Sequence, residues 1–145
     1  MTTTQDLALE ASTTYRFAVL DLPLDDAVEA LAALAAVRTG LRTQVPAVPG
    51  FHVRWPERAT LARPVPVRPS TGWQLAPPIR IESARQLGTA TATVELLPWD
   101  ARRTELGLRL ERRLLLSDER YGRVAKALLA VLAADLTEDA LRPVG

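Results

Sequence analysis

The strongest constraint on the fold is a regular alternation of apolar and polar residues between positions 79 and 110. Because strand side chains point alternately to two faces, paired strands must match apolar with apolar residues. A turn centred on Ala101 achieves this match, and an earlier turn at Leu87-Gly88 extends the same face to a third strand. The predicted partners are Ile79, Ile81 and Ser83, then Leu96, Val94 and Ala92, then Leu106, Leu108 and Leu110. The sequence therefore predicts an antiparallel meander with one apolar face.

The opposite face of this meander is predicted to be solvated. Its two predicted rows are Arg80, Glu95 and Gly107, and Glu82, Thr93 and Arg109. Carboxylates in this region, including Glu105, could be interpreted as an acid/base pair of the kind used in glycoside hydrolysis. Placement on a solvated face instead favours a ladder of paired charges.

A helical periodicity follows the meander. Ser117 is suited to an N-cap, and Asp118 and Glu119 complement the positive end of a helix dipole. Apolar residues then recur on one side of the helix: Tyr121, Val124, Ala125, Leu128, Leu129, Val131, Leu132 and Leu136. A helix over 118–136 would be about 28 Å long, which is comparable with the width of a six-stranded sheet. We therefore expect one long helix to lie across the sheet.

The first part of the chain predicts a strand and a helix. Residues 13–24 alternate as in a half-buried strand that ends near Pro23, with Tyr15, Phe17 and Val19 on one side. The acidic pair at 25–26 offers N-cap oxygens, and Gly40 offers a stop, so the helix is predicted over 26–39.

Prolines dominate the middle of the chain. Residues 46–78 hold eight of the eleven prolines, which cannot donate hydrogen bonds to a central ladder, so long helices are not expected. The alternation of Phe51, Val53 and Trp55 is sufficient for one short strand. Pro64, Pro66 and Pro69 favour an extended edge or a loop.

Composition excludes several kinds of chemistry. The chain of 145 residues has no cysteine and one histidine, His52, which excludes disulfides, thiolate sites and multi-histidine metal sites. No phosphate loop, dinucleotide fingerprint or G-x-S-x-G elbow is present, and we expect no cofactor and no metal. The composition predicts one globular domain over 13–136, between a flexible segment at 1–12 and a tail at 137–145. The lack of a long apolar run or a signal-like N-terminus predicts a cytoplasmic protein.

Charge is distributed unevenly around a net value of +1. Residues 1–37 carry a net charge of −5, and residues 38–85 carry +6. Arginine outnumbers lysine 17 to 1, a bias that we attribute to GC-rich coding rather than to phosphate recognition. We expect salt-sensitive adsorption to polyanions at most, and no specific nucleic-acid partner.

Four stretches in this order resemble a known family. They are TTYRFAVLDLP, DDAVEALAALAAV, TATVELLPWDARRTELGLRL and DERYGRVAKALLAVLAADL. Over about 13–136 the chain resembles the helix-grip fold of the START-like superfamily, whose members are often called polyketide cyclase/dehydrase-like proteins. The resemblance implies an α+β fold in which an antiparallel sheet wraps around a long C-terminal helix, with a helix inserted after the first strand. The proline-rich middle departs from the tidy run of strands usual in the family.

The resemblance also implies a cavity between the long helix and the sheet, used in that superfamily for lipids, polyketides and other apolar molecules. Small residues near one end of the predicted wall, Ser83, Ala90 and Ala92, would leave room for a ligand, unless larger side chains fill the gap. The ligand-binding candidates are Tyr15, Trp55, Trp73, Ile81, Ser83, Ala92, Val94, Leu108, Tyr121, Val124 and Leu128. Tyr15 can also be interpreted as a core residue, and Trp99 as a rim or packing residue.

These observations leave four functions open. The leading hypothesis is a module that binds an apolar small molecule in the cavity. The second is a cyclase- or dehydratase-type enzyme in which Tyr15 or His52 moves protons, although no catalytic residue can be assigned. The third is a homodimeric or partner-binding module without ligand that uses the proline-rich segment as a docking strand. The last is single-stranded nucleic-acid binding through Phe51, Trp55 and Trp73.

Overall fold

The computed structural model describes residues 10–63, 72–83, 89–114 and 120–141. Within these ranges the chain forms eight strands and two helices. Their bounds are β1 Glu10–Leu20, α1 Leu24–Val37, β2 Arg42–Gln44, β3 Phe51–Arg54, β4 Thr60–Ala62, β5 Trp73–Ala76, β6 Ile79–Ser83, β7 Thr89–Pro98, β8 Thr104–Leu114 and α2 Arg120–Leu141. No helix in the described ranges is both long enough and apolar enough to cross a membrane.

The strands form one antiparallel sheet in the order β1-β8-β7-β6-β3-β2. A short branch joins this path, because β5 also pairs with β7 and β4 pairs with β5. The helix α2 packs against β1, β8 and α1. The predicted fold class, an antiparallel sheet with a helix after the first strand and a long C-terminal helix, is confirmed.

The β7–β8 hairpin has the predicted register. Leu96, Val94 and Ala92 lie opposite Leu106, Leu108 and Leu110, and all six are buried. The Trp99 and Asp100 amides donate to the Arg103 carbonyl and close the turn. The side chain of Asp100 also accepts a hydrogen bond from the amide of Arg102 at 2.8 Å. A short turn with its own hydrogen bonds thus fixes the pairing that the apolar pattern predicts.

The predicted β6–β7 register is wrong by four residues. Ile79 lies opposite Ala92 rather than Leu96, because Trp73 of β5 occupies the place beside Leu96. The displacement is an even number of residues, so Ile79 and Ile81 keep the face on which they were predicted and are buried. The proposed turn at Leu87-Gly88 lies outside the described residues.

Because of this shift in register, the cross-strand rows predicted for the solvated face of the meander also change. Arg80 lies opposite Thr91 instead of Glu95. Glu82 lies opposite His52 of β3. The pairs contributed by the hairpin, Thr93 with Arg109 and Glu95 with Gly107, are as predicted.

The alternation of β1 is present, but its large residues point away from α2. Ala18 and Leu20 lie opposite Leu106 and Thr104 and share their inward face, whereas Tyr15, Phe17 and Val19 are exposed on the other side. We call the side away from α2 the outer face. The interpretation of Tyr15 as a core residue is therefore wrong, because periodicity fixes which residues share a face but not which face is buried.

Both helices differ from prediction at their ends. Pro23 is the N-cap residue of α1, so Asp25 and Asp26 lie in the first turn, and no side chain caps the helix. The carboxylates still complement the helix dipole there. Gly40, with φ of 68°, lies just beyond the end of α1. The helix α2 extends to Leu141, five residues beyond the predicted end, and Ser117 lies outside the described residues.

The proline-rich middle supplies more strands than expected. The β3 strand was predicted, whereas β4 and β5 are additional short strands on the branch beside β7. Together with β2 they bring the strand number in the described ranges to eight. Pro64, Pro66 and Pro69 lie outside the described residues.

Candidate functional site

The inward face of β3 continues the apolar wall of the meander. Phe51, Val53 and Trp55 alternate on this face and are 1–3% exposed. The register sets Phe51 beside Ser83 and Val53 beside Ile81. The wall that faces the α2 side of the sheet is therefore broader than the meander alone.

Two aromatic rings meet at one end of this wall. Phe51 contacts Tyr121 of α2 edge to face, with ring centroids 5.0 Å apart. The Arg120 guanidinium lies 5.2 Å from the Phe51 ring centroid, and that of Arg112 lies 5.3 Å from the Tyr121 ring centroid. The small residue Ala90 is the cross-strand neighbour of Arg112. This end of the wall thus combines apolar rings with two cationic groups.

Sequence reasoning missed both arginines. The alternation of β8 could have indicated the position of Arg112, because residue 112 lies on the same face of the strand as Leu106, Leu108 and Leu110. Arg120 is not part of the apolar stripe of the helix, and its proximity to a ring from a distant strand could not be predicted from the sequence.

Trp55 lies toward the opposite end of the wall and is 1% exposed. The Arg38 guanidinium is 5.7 Å from its ring centroid and donates to the Asp135 carboxylate at 2.6 Å. The Trp55 indole nitrogen Nε1 is buried and has no hydrogen-bond acceptor among the described residues. A buried donor without an acceptor costs about 1–3 kcal/mol, and such groups are rare in native proteins.

Most of the predicted ligand-contact residues are part of this buried wall or of the α2 stripe. Ile81, Ala92, Val94 and Leu108 are buried on the sheet, and Tyr121, Val124 and Leu128 are buried on α2. Ser83 is half-buried beside Phe51. Trp73 is half-buried beside Leu96, with the Arg63 guanidinium 4.0 Å from its ring centroid.

Tyr15 is separated from these residues, because it lies on the outer face. Its hydroxyl donates a hydrogen bond to the Glu105 carboxylate at 2.5 Å. Partial burial, this hydrogen bond and the negative charges of Glu105 and Glu95 together raise the pKa of Tyr15 well above its ordinary value. The phenol therefore holds its proton at neutral pH, which does not suit a group that must exchange protons with a substrate.

His52 also lies on the outer face, between Gln44 and Glu82. Arg42 and Arg54 both bind Glu82, at 2.7 and 3.3 Å, and the hydrogen bond from Arg42 is the main cause that lowers the pKa of this carboxyl. Three strands, β8, β7 and β6, separate His52 from Tyr15. The fold does not bring the two candidate proton carriers together.

The charge ladder predicted for the hairpin is present in part. Glu95 accepts a hydrogen bond from Arg109 at 3.0 Å. The pKa of Arg109 is raised, chiefly by this bond. Among the described residues, no three acidic or histidine side chains are grouped so as to hold a metal ion.

Comparison with known proteins relates this arrangement to a fold rather than to a sequence family. No family model matches the chain, and no curated protein matches it in sequence. A conserved protein of Geobacillus kaustophilus is similar in structure, with a TM-score of 0.54 and 14% identity over 89% of this chain and 95% of its own. Norcoclaurine synthase of Thalictrum flavum has a TM-score of 0.50 and 9% identity, over 99% of this chain and 94% of its own.

At these identities the similarity bears on the fold alone. The order of elements, the open antiparallel sheet and the packing of α2 against it agree with the similarity in structure. The chain therefore has a helix-grip fold.

Proposed function

We propose that this protein binds an apolar small molecule carrying a hydrogen-bond acceptor, such as a lipid or polyketide carbonyl, between α2 and the sheet. The observation that carries the proposal is the buried, unpartnered Trp55 N–H at the end of an apolar wall. A ligand carbonyl, ether or hydroxyl oxygen would supply the acceptor that the described side chains do not. Burial of the apolar part would provide most of the affinity, and the Trp55 hydrogen bond would orient the ligand.

The end of the wall at Phe51 and Tyr121 supports the same proposal. Ser83 and Ala90 are small residues there, and the rings of Phe51 and Tyr121 meet at this end. The guanidinium groups of Arg112 and Arg120 lie beside these rings, so a polar terminus of the ligand would be placed near them. The ligand would then lie along the wall with its acceptor toward Trp55.

The alternative of a cyclase- or dehydratase-type enzyme in the same space receives less support. Both residues considered for proton transfer, Tyr15 and His52, lie on the outer face. The raised pKa of Tyr15 also argues against proton exchange near neutral pH.

Two nearly isosteric probes test the proposal, 2-acetylnaphthalene with a carbonyl acceptor and 2-ethylnaphthalene without one. We expect wild-type protein to bind the ketone about 2- to 10-fold more tightly, the range that one hydrogen bond supplies. Trp55→Phe keeps most of the ring and removes the N–H, so it should abolish the preference while leaving hydrocarbon binding nearly unchanged. Equilibrium dialysis measures both affinities.

Trp99→Phe is the matched control, because Trp99 is exposed on the outer face and should not affect either affinity. Failure of wild-type protein to bind either probe would contradict a binding site of this kind. Equal binding of the two probes by wild type would show instead that Trp55 does not orient the ligand.

A further inference from the structure

The outer face carries a row of exposed apolar side chains that the ligand site does not use. Tyr15 is 37% exposed, Phe17 51%, Val19 38% and Trp99 47%. We call these four residues the outer aromatic row. Neighbouring rings stack, with centroids 6.3 Å apart for Tyr15 and Phe17 and 6.0 Å for Phe17 and Trp99. Contiguous exposed apolar patches of this kind are typical of interaction surfaces.

The row is held in place before any partner arrives. The Tyr15 hydroxyl is bound to Glu105, and its ring lies across Gly107, where a side chain would collide with it. Phe17 is stacked between Tyr15 and Trp99. A surface whose rings are already ordered loses little side-chain entropy on binding.

The strand beneath the row is an edge of the sheet. Over the described part of the chain, β1 pairs along all eleven residues with β8 and with no strand on its other side. Natural edge strands are usually protected by charges, prolines or bulges. From Thr13 to Leu20 the strand has one charged residue, Arg16, and no proline. This edge is therefore suited to pairing with another strand.

We propose that β1 pairs antiparallel with β1 of a second copy, about a two-fold axis at Phe17, so that the two outer aromatic rows join. This register sets Tyr15 opposite Val19 of the partner subunit, an aromatic with a β-branched residue, which is a favourable cross-strand pair. It also sets Arg16 opposite Ala18 of the partner subunit. An axis at Arg16 would instead oppose two like charges.

Charges around the row favour a copy of the same chain over a charged partner. Glu95 is paired with Arg109, and Asp100 with Arg103 at 2.6 Å. Glu105 accepts the hydrogen bond of Tyr15. Four of these five charges cancel in pairs, and the single remaining charge of Glu105 is too small a surplus to select a basic peptide or to prevent association with a second copy.

The size of the surface determines how strongly the two copies are expected to associate. The four side chains leave roughly 350 Å² of apolar surface open in each copy, if a complete ring contributes about 200 Å². With the paired backbone edges the total approaches the lower limit of specific interfaces, about 1,000 Å². We expect a weak dimer with a dissociation constant on the order of 10–100 µM.

Sedimentation velocity over a range of concentrations tests the association. Wild type should pass from monomer to dimer below about 500 µM, whereas Phe17→Glu should weaken association at least about 100-fold, because the symmetric register buries two like charges together. Val37→Glu introduces the same charge at the end of α1, at a residue that is 82% exposed, and should leave the dimer intact.

The register can be tested separately, because the chain has no cysteine of its own. Phe17→Cys places two thiols on the proposed axis, and a short bismaleimide should join them rapidly. Val37→Cys, equally accessible, should be joined only at the slow rate of random collision. This comparison of cross-linking rates tests the proposed β1–β1 pairing even if the Phe17→Glu variant fails to fold.

Three outcomes would overturn the proposal: a wild-type monomer at about 500 µM, a dimer that Phe17→Glu leaves intact, or equal cross-linking of the two cysteine variants. A monomer would indicate that the row serves a different chain. The row lies on the face away from α2, so none of these outcomes bears on the ligand site.

Discussion

The ring of Tyr15 lies directly over the backbone of Gly107, so close that a Cβ at position 107 would be 2.7 Å from two carbons of the ring. Tyr15 is on β1 and Gly107 on the neighbouring strand β8, where Phe17 is the direct cross-strand partner of the glycine. The tyrosine thus leans across the strand toward Glu105, and the missing side chain of Gly107 makes the space for it. An aromatic ring that covers a glycine in this way is a recognised means of stabilising a strand.

Gly107→Ala should therefore destabilise the protein by about 1–3 kcal/mol, as overpacking does. The sign of this change in stability is informative, because Gly→Ala within a strand ordinarily raises stability by about 0.5–1 kcal/mol. Introduced together with Tyr15→Ala, the same substitution should be neutral or stabilising, and urea denaturation of the four proteins completes the double-mutant cycle. Gly122→Ala in α2 is the control, because the added Cβ would lie 3.9 Å from the Arg16 side chain, an ordinary contact distance. A Gly107→Ala variant as stable as Gly122→Ala would contradict the contact.

Truncation of Leu108 should be costly, because this residue lies at the centre of the hairpin wall and is fully buried. We expect Leu108→Ala to lose about 2–5 kcal/mol of unfolding free energy, through lost apolar contact and the cavity left behind. Val37→Ala, at an exposed position, should change stability by less than about 0.5 kcal/mol. Reversible denaturation that found the two variants equally stable would place Leu108 outside the core.

Ala92→Phe distinguishes open space from a filled core between α2 and the sheet. Ala92 is buried beside Ile79 and Leu110. If a ligand occupies this region, the added ring should block uptake of 2-acetylnaphthalene with little loss of stability. In a filled core the same ring should instead cost about 1–3 kcal/mol or more by overpacking.

Thr91→Phe provides the comparison, since position 91 is on the outer face of the same strand and should affect neither property. Probe binding and denaturation are measured on both variants. A strongly destabilised Ala92→Phe, combined with a wild type that takes up no probe, would rule out the cavity.

The raised pKa of Tyr15 predicts a dependence of stability on alkaline pH. Its folded-state pKa is above the unfolded value of about 10, so the interaction stabilises the protein fully below pH 10 and is lost as the pH rises further. Unfolding midpoints should therefore fall more between pH 9 and pH 11 for wild type than for Tyr15→Phe. Glu105→Gln keeps an acceptor but removes a charge, so its decline should be intermediate. A wild type and a Tyr15→Phe variant with parallel profiles would contradict the assignment.

The parts of the fold that the sequence predicts are those governed by local pattern. The β7–β8 pairing follows from a short turn and six matching apolar residues, and the α2 stripe follows from its own period. The β6–β7 register could not be obtained in the same way, because the competitor for the place beside Leu96 is Trp73, which lies in the proline-rich stretch. A pattern within two strands carries no information about a third strand that displaces one of them.

In the candidate site, too, some features follow from local sequence pattern and others depend on distant parts of the chain. Burial of Ile81, Val94 and Leu108 is predictable from alternation, whereas the outward direction of Tyr15 is not. The unpartnered N–H of Trp55 depends on which groups a distant helix brings near it, and Asp135 is bound to Arg38 instead. The outward direction of Tyr15 and the unpartnered N–H of Trp55 are both set by the tertiary fold.

The pairing of β1 with β8 also determines when the sheet can be completed. Glu105, which binds the Tyr15 hydroxyl, follows it by 90 residues, so β1 leaves the ribosome long before its only described neighbour has been synthesised. Contacts of such large sequence separation form slowly, because the loop between them must first be closed at an entropic cost. During synthesis the strand that carries Tyr15, Phe17 and Val19 has both edges unpaired. The nascent chain therefore keeps this strand unpaired, and open to aggregation, until β8 has emerged.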